Sequence, residues 1–152
     1  MASTGATVTV NTRGLQRKLD KWQKGLSTKQ LLEAIGNVHI RWVDKNFKAE
    51  GIEKRWKPLS PKTIARRRKG SSRILQDTGK LKGSFNKGRS GNVHKIRGTE
   101  VSVGTNVVYA STHEHGRGKI PKRKMLPTER MARKLARDTI NNIVKELARG
   151  AR

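Results

Sequence analysis

Cysteine is absent from the 152-residue chain, aromatic residues make up 4% of it, and only 11 residues are acidic. Without cysteine the protein has no disulfide and no thiolate metal site, a composition that fits a reducing compartment. No apolar run approaches the roughly 18 residues that a membrane-spanning helix needs. Residues 1–10 have neither a basic leader nor an apolar stretch. We therefore expect no secretion signal and no membrane partner.

Positive charge is the strongest signal in the composition. The chain carries 36 Lys and Arg residues, which gives a formal net charge of +25, and only 32% of its residues are hydrophobic. A compact monomer of this composition repels itself, and an anionic ligand or a protein partner would relieve that repulsion. The length suits a single domain over residues 1–152, with loose termini and a basic, loop-rich segment at about 52–92.

The N-terminal third predicts one strand followed by two helices. Valine alternates with threonine before Asn11, which is typical of a short strand. Apolar residues recur at helical spacing over residues 15–26 and predict a first helix. Ser27 and Gln30 then form a capping-box pattern that begins a second, longer helix. Gly51 is suited to end that helix in a left-handed conformation.

The rest of the chain predicts short elements and one long helix. Ser60 before proline begins a helix that should run to about residue 69, and a brief helical turn follows Thr78-Gly79. Over residues 93–113 apolar side chains alternate, which predicts an antiparallel meander of two or three strands. A final helix should occupy residues 128–150. This order predicts an α+β fold, a small antiparallel sheet packed against several helices, including a long N-terminal helix and a C-terminal helix.

Catalytic and metal-binding patterns are weak. His113, Glu114 and His115 would share a metal only if a strand continued through them, and His39 and His94 have no spacing that demands a further ligand. We interpret the motif as a strand-to-loop corner with exposed imidazoles. The chain has no Gly-x-Ser-x-Gly elbow and no phosphate-binding loop. We therefore expect no enzymatic activity, no cofactor and no metal.

Cations are concentrated in two segments. Between residues 54 and 89 there are 13 Lys or Arg residues and one acid, Asp77, and residues 117–124 add five cations. Such a density would bind phosphate backbones in a salt-dependent way, but no zinc finger or stacking platform predicts sequence-specific recognition. The predicted contacts with a partner or with DNA are Arg66, Arg67, Arg68, Lys69, Arg117, Lys119, Lys122, Arg123 and Lys124.

Four motifs that combine turn residues with apolar anchors follow one another over residues 52–127. In chain order they are Trp56-x-Pro58-Leu59-Ser60-x-x-Thr63, Ile74-Leu75-x-x-Thr78-Gly79-x-Leu81-x-x-Ser84, Val101-x-Val103-Gly104-Thr105-Asn106-x-x-Tyr109-Ala110-x-x-His113-x-x-Gly116 and Ile120-Pro121-x-Arg123-x-x-Leu126. Their order and spacing resemble the virion-morphogenesis, or tail-completion, family of tailed bacteriophages. Lys124 and Met125 stand where that family tends to have a proline and an aromatic residue.

The resemblance implies a structural protein of the particle neck that completes the tail or joins it to the DNA-filled head. It implies a homo-oligomeric ring of about six copies, assembled in the host cytoplasm and located in the virion neck or tail end. Other neck, connector or tail proteins would be its partners, with optional non-specific contact with genomic DNA. The structural motif residues are Trp56, Pro58, Leu59, Thr63, Thr78, Gly79, Leu81, Gly104, Tyr109, His113, Gly116, Pro121 and Leu126.

The first motif combines a turn with apolar anchors and a run of cations that follows it. We expect Trp56, Pro58 and Leu59 to anchor a rigid loop, from which the cations of residues 66–69 project outward. Two alternatives rest on composition alone. One is a sequence-independent DNA-binding protein that coats or compacts duplex, and the other is a basic ribosome-associated protein.

Overall fold

The computed structural model describes residues 5–12 and 26–150. The helix predicted at residues 15–26 lies outside them except for Leu26. The described elements, in chain order, are β1 (Ala6–Asn11), α1 (Thr28–Ala49), α2 (Pro61–Ala65), a 3-10 turn (Arg68–Gly70), α3 (Lys80–Gly83), β2 (Asn92–Arg97), β3 (Glu100–Thr105), α4 (Ala110–His115) and α5 (Glu129–Gly150). The predicted α+β class is confirmed.

The three strands form an antiparallel sheet in the order β1-β3-β2. Val8 lies opposite Val103 and Val10 lies opposite Val101, so these valines share one face of the sheet, which packs on the core. On the other face the hydroxyl groups of Thr9 and Ser102 lie 2.8 Å apart in a hydrogen bond. This division into an apolar and a polar face explains the alternating pattern of the sequence.

Helix α1 begins at the predicted capping box. The Ser27 backbone N–H donates to Gln30 Oε1 over 2.9 Å, and the Gln30 N–H donates to Ser27 Oγ over 3.3 Å. The helix ends at Ala49, two residues before the predicted glycine, because Glu50 itself adopts the left-handed conformation with φ of 53°. Gly51 follows with φ of 107° and donates its N–H to the carbonyl of Asn46.

The apolar face of α1 joins two hydrophobic clusters. The first packs α1 against the sheet and α5, and its buried members are Val10, Leu31, Leu32, Ile35, Val101, Val103, Ala132, Ala136 and Ile140. The second lies under the loops that carry the sequence motifs, and its buried members are Ala6, Trp42, Val43, Phe47, Trp56, Ile74, Leu81, Phe85, Val107, Ala110, Met125 and Leu126. One long helix therefore supports both the sheet and the motif-bearing loops.

The helix predicted over residues 60–69 is shorter than expected. Ser60 caps it as predicted, accepting the Thr63 N–H over 3.2 Å, but α2 ends at Ala65. Arg67 is extended, with ψ of 156°, and Lys69 is left-handed, with φ of 55°. Only Ile64 among the residues of α2 is even partly buried. A short helix without an apolar face to pack has little to extend it.

Of the two or three strands predicted over residues 93–113, two form, β2 and β3, and the predicted strand-to-loop corner is wrong. After β3 the Val107 N–H donates to Thr105 Oγ1 and its carbonyl accepts the Ala110 N–H, so the chain turns into α4. His113 and His115 therefore lie on a helix, where residues two apart do not share a face. His113 is half-buried, and His115 is the exposed one.

Buried His39 of α1 predicts a stability that falls on acidification. Its Nδ1 lies 2.8 Å from the Ile35 carbonyl. Burial lowers its pKa below the usual value, and the backbone carbonyls of Ile35 and Ala132 only partly oppose this. The unfolded chain then binds this proton more readily than the folded one, so stability is complete above about pH 6.5 and falls below it. In urea titrations from about pH 8 to pH 5, His39→Gln should lose less stability than the wild type.

Burial also lowers the pKa values of His94 and His113. The His39→Gln variant should therefore flatten the pH dependence without removing it. A pKa that differs by one between the folded and unfolded chains changes the free energy of unfolding by about 1.4 kcal/mol at most. An unchanged slope of stability against pH in this variant would show that His39 is not a source of the acid sensitivity.

Candidate functional site

The tryptophan loop is attached to the core by its ring and by one hydrogen bond. The Trp56 ring meets Phe47 edge-on, with ring centroids 5.3 Å apart. Its Nε1–H donates to the Lys124 carbonyl over 3.0 Å. This contact joins the first motif to the fourth, and it supports the expectation that Trp56 anchors the loop.

Asn46 connects α1 to the same segment. It is 1% exposed, and its Nδ2 donates to the carbonyls of Lys124 and Met125 over 2.9 and 3.1 Å. Its Oδ1 accepts the Ile52 N–H over 2.7 Å. One side-chain amide thus satisfies backbone groups in two separate loops.

Glu114 holds the segment from the other side. Its carboxylate Oε2 is buried and accepts the backbone N–H groups of Met125 (2.6 Å) and Leu126 (3.3 Å). Burial raises the pKa of Glu114, while the two N–H donors and the nearby charge of Lys124 oppose this rise. The carboxylate therefore acts as a structural acceptor inside the fold, and not as a member of an exposed metal motif.

Arg123 differs from the other predicted contact residues because it is only 6% exposed. Its Nε and Nη2 donate to the Lys57 carbonyl over 3.2 and 2.9 Å, and its backbone N–H donates to the His113 carbonyl over 2.7 Å. Burial, followed by the charge of Arg67, lowers the pKa of Arg123. The residue ties the first, third and fourth motifs together.

The second motif packs against the strand that carries the third. Gly79 precedes α3 with φ of 74°, a left-handed conformation that suits glycine. Leu81 is buried in the core. Ser84 Oγ lies 2.7 Å from Thr105 Oγ1 in a buried hydrogen bond, so the two motifs are joined by side chains that were both part of the sequence pattern.

The four motifs meet around one groove of about 660 Å³, which we call the motif groove. Nine of the thirteen predicted structural residues line it, and they are Pro58, Leu59, Thr63, Thr78, Gly79, Leu81, Tyr109, His113 and Pro121. The remaining four, Trp56, Gly104, Gly116 and Leu126, do not line it. Its other lining residues are Lys57, Ser60, Arg67, Leu75, Asp77, Lys119, Ile120 and Arg123.

Three of the nine predicted contact cations line this groove, namely Arg67, Lys119 and Arg123. Arg67 is partly buried, and its guanidinium donates to the carbonyls of Ser71 and Arg73. The other six, Arg66, Arg68, Lys69, Arg117, Lys122 and Lys124, do not line it. Within residues 5–12 and 26–150, none of the nine forms a salt bridge.

Reasoning from sequence missed the structural roles of Asn46 and Glu114 and the groove position of Lys57. Asn46 had a detectable signal, because it is a polar residue on the apolar face of α1, next to Phe47. Glu114 had none, since its partners are backbone groups of a distant segment.

The described residues show no arrangement for catalysis by a metal. Among them, no group of three His, Asp or Glu side chains is placed to hold an ion. In the same part of the chain, no helix is long and apolar enough to cross a membrane.

Fold and groove together define a small α+β domain whose turn motifs converge on one surface. The chain belongs to the phage virion morphogenesis family, which it matches over residues 10–145. No curated protein and no solved structure matched it. Membership of this family indicates a structural or assembly role in the phage virion and confirms the resemblance drawn from the four motifs.

Proposed function

We propose that the protein is a structural component of the phage neck, which completes the tail or joins it to the DNA-filled head as a ring of about six copies. The family match over residues 10–145 supports the assembly role. The observation that carries the finer proposal is the convergence of all four motifs on the motif groove. A set of loops held this rigidly is suited to docking between subunits.

Exposed apolar side chains around the third and fourth motifs also favour assembly. Val108 is 71% exposed, Tyr109 44% and Ile120 40%. Single exposed apolar residues are common, but these belong to the segments on either side of the groove. An adjoining subunit docked there would cover such surface, and burial in an assembly stabilises a chain in which hydrophobic residues are few.

Two measurements test this proposal. Lysates of a phage lacking the gene should contain heads and tails that are not joined into infectious particles, and supplying the wild-type protein in trans should restore them. The purified protein, or the ring taken from virions, should have a mass of about six times 17.1 kDa. Intact, infectious virions from the knockout would overturn the proposal.

A sequence-independent DNA-binding protein is the second candidate. The observation that favours it is the group of six exposed or partly exposed cations outside the groove, which are without salt bridges among the described residues. It predicts that isolated monomers retain arbitrary duplex with an affinity that falls steeply as salt rises. Salt-sensitive retention by the monomer, together with normal particles from the knockout, would favour this candidate.

A further inference from the structure

We propose that the motif groove binds an extended segment of an acidic partner protein, one that presents an apolar side chain next to a carboxylate. The inference deepens the proposed function, because the partner would be an adjoining subunit of the neck or tail. The groove volume of about 660 Å³ lies within the range of roughly 300–1,000 Å³ that is typical of pockets for small ligands. It is therefore large enough for a few side chains.

Apolar side chains line much of the groove. Pro58, Leu59, Leu75, Leu81 and Pro121 contribute to its walls. Tyr109 and Ile120 also line it and remain substantially exposed, so an occupant could cover apolar surface that the folded chain leaves in contact with water. An aliphatic or aromatic side chain of a peptide would cover such surface. The phosphate backbone of a DNA duplex has no such side chain.

The charged residues of the groove are nearly all positive. Lys57, Arg67, Lys119 and Arg123 line it against a single acid, Asp77. Two of these charges lie close enough to oppose one another, since the charge of Arg67 contributes to the lowered pKa of Arg123. A carboxylate placed between such guanidinium groups would be attracted to both of them and would relieve their repulsion.

His113, which lines the groove, also has a buried ring nitrogen without a partner among the described residues. His113 Nδ1 is buried and makes no hydrogen bond within the part of the chain that the structure describes. Burial and the charge of Arg123 lower the pKa of His113, which favours the neutral ring. A neutral imidazole can donate or accept one hydrogen bond at this nitrogen.

A second copy of this chain is a poor occupant on grounds of charge. The protein has a formal net charge of +25, and no two of its 11 acidic residues are adjacent. It therefore has no acidic run to place in a basic groove. A different, acidic protein complements the groove, while rings of this chain would use other surfaces.

Binding of short fluorescent peptides to the full chain, followed by anisotropy, tests this inference. One peptide alternates glutamate and leucine, a second replaces glutamate by glutamine, a third replaces leucine by serine, and a short DNA duplex is the fourth probe. We expect the glutamate-leucine peptide to bind at least about tenfold more tightly than either relative, because only it provides both the charge and the apolar side chain.

Variants locate the binding. The double variant Lys119→Gln with Ile120→Ser should bind the glutamate-leucine peptide about tenfold more weakly, or weaker still. The matched control, Lys54→Gln with Ile52→Ser, removes the same charge and an equally exposed isoleucine (44% against 40%) away from the groove. It should change affinity by less than about twofold. Thermal melts of both variants should match the wild type, because all four side chains are exposed.

Equal loss in both double variants, or equal binding of the leucine and serine peptides, would reduce the interaction to diffuse charge and overturn the inference. Tightest binding of the duplex, or no binding of any peptide, would also overturn it. These results do not depend on particle assembly, since they use the purified protein alone. If the glutamate-leucine peptide binds but the knockout yields normal virions, the neck proposal is overturned and the groove inference stands. If the knockout yields unjoined heads and tails but no peptide binds, the groove inference is overturned and the neck proposal stands.

Discussion

Replacing Asn46 by leucine is expected to lower the free energy of unfolding by about 3 kcal/mol or more, because it leaves buried backbone groups without partners. The Met125 carbonyl and the Ile52 N–H both bond to the Asn46 amide. Leucine has the same number of side-chain heavy atoms in the same branched arrangement and adds apolar surface, so the loss reports chiefly on the polar groups. The Lys124 carbonyl would keep its hydrogen bond from Trp56, so the loss of stability at that carbonyl is smaller.

Urea unfolding of the purified variant measures this change. The matched control is Asn141→Leu, the same substitution at an exposed position of α5. It should alter stability by no more than about 0.5 kcal/mol. Similar unfolding midpoints for Asn46→Leu and wild type would show that these backbone groups find other partners, and that Asn46 does not hold the two loops together.

The sequence predicted those elements whose signals are local. The capping box of Ser27 and Gln30 depends on residues three apart, so the start of α1 could be read directly. The alternation of valines in β1 and β3 reflects a sheet with one buried face. The start of α5 followed from its apolar spacing, and in the structure Glu53 caps it by accepting the N–H and hydroxyl of Thr128.

Predictions failed where tertiary contacts decide the backbone. Val107 and Tyr109 have the period of a strand, but the hydroxyl of Thr105 captures the Val107 N–H and the chain turns into α4. The helix after Ser60 was expected to continue through the arginines. The Arg67 side chain instead bonds to the carbonyls of Ser71 and Arg73, which only the folded loop brings near it.

The groove shows a similar division between what sequence can and cannot reveal. The four motifs indicated which segments matter, but spacing along the chain could not show that Arg67, Lys119 and Arg123 share a groove while Arg66 and Arg68 do not. The buried acceptors are equally hidden. Glu114 reaches the backbone of Met125 and Leu126, and such bonds to main chain leave no complementary residue type in the sequence.

Buried polar contacts act together with apolar packing to determine where the fourth motif lies. Residues 123–126 receive hydrogen bonds from Asn46 and Trp56 and donate to Glu114, while Arg123 reaches back to Lys57. Apolar contact is non-directional, whereas these bonds allow one arrangement of the loop. The same loop supplies Ile120 and Pro121 to the groove, so the shape of the groove depends on this network.

Replacing Gly104 by alanine should destabilise the protein by about 3 kcal/mol or more, at the upper end of what overpacking costs. A Cβ atom at this position of β3 would lie 2.2 Å from the Ala6 carbonyl oxygen and 2.5 Å from the Thr7 Cα. Both atoms belong to the backbone of β1, so no side-chain rotation can make room. Gly104 pairs with Thr7 in the register of the sheet, and the strands would have to separate to accept the methyl group.

Hydrogen exchange and thermal melts of this variant distinguish local from global loss. Because β1 is an edge strand that pairs only with β3 among the described strands, its amides should lose protection first, while those in the middle of α1 keep more of theirs. Gly83→Ala in α3 is the matched control, since nothing lies within 4 Å of its added Cβ. It should leave stability unchanged or raise it by up to about 1 kcal/mol. If the Gly104→Ala and Gly83→Ala variants had the same melting temperature, the close approach of β1 to β3 would not be what requires glycine in the third motif.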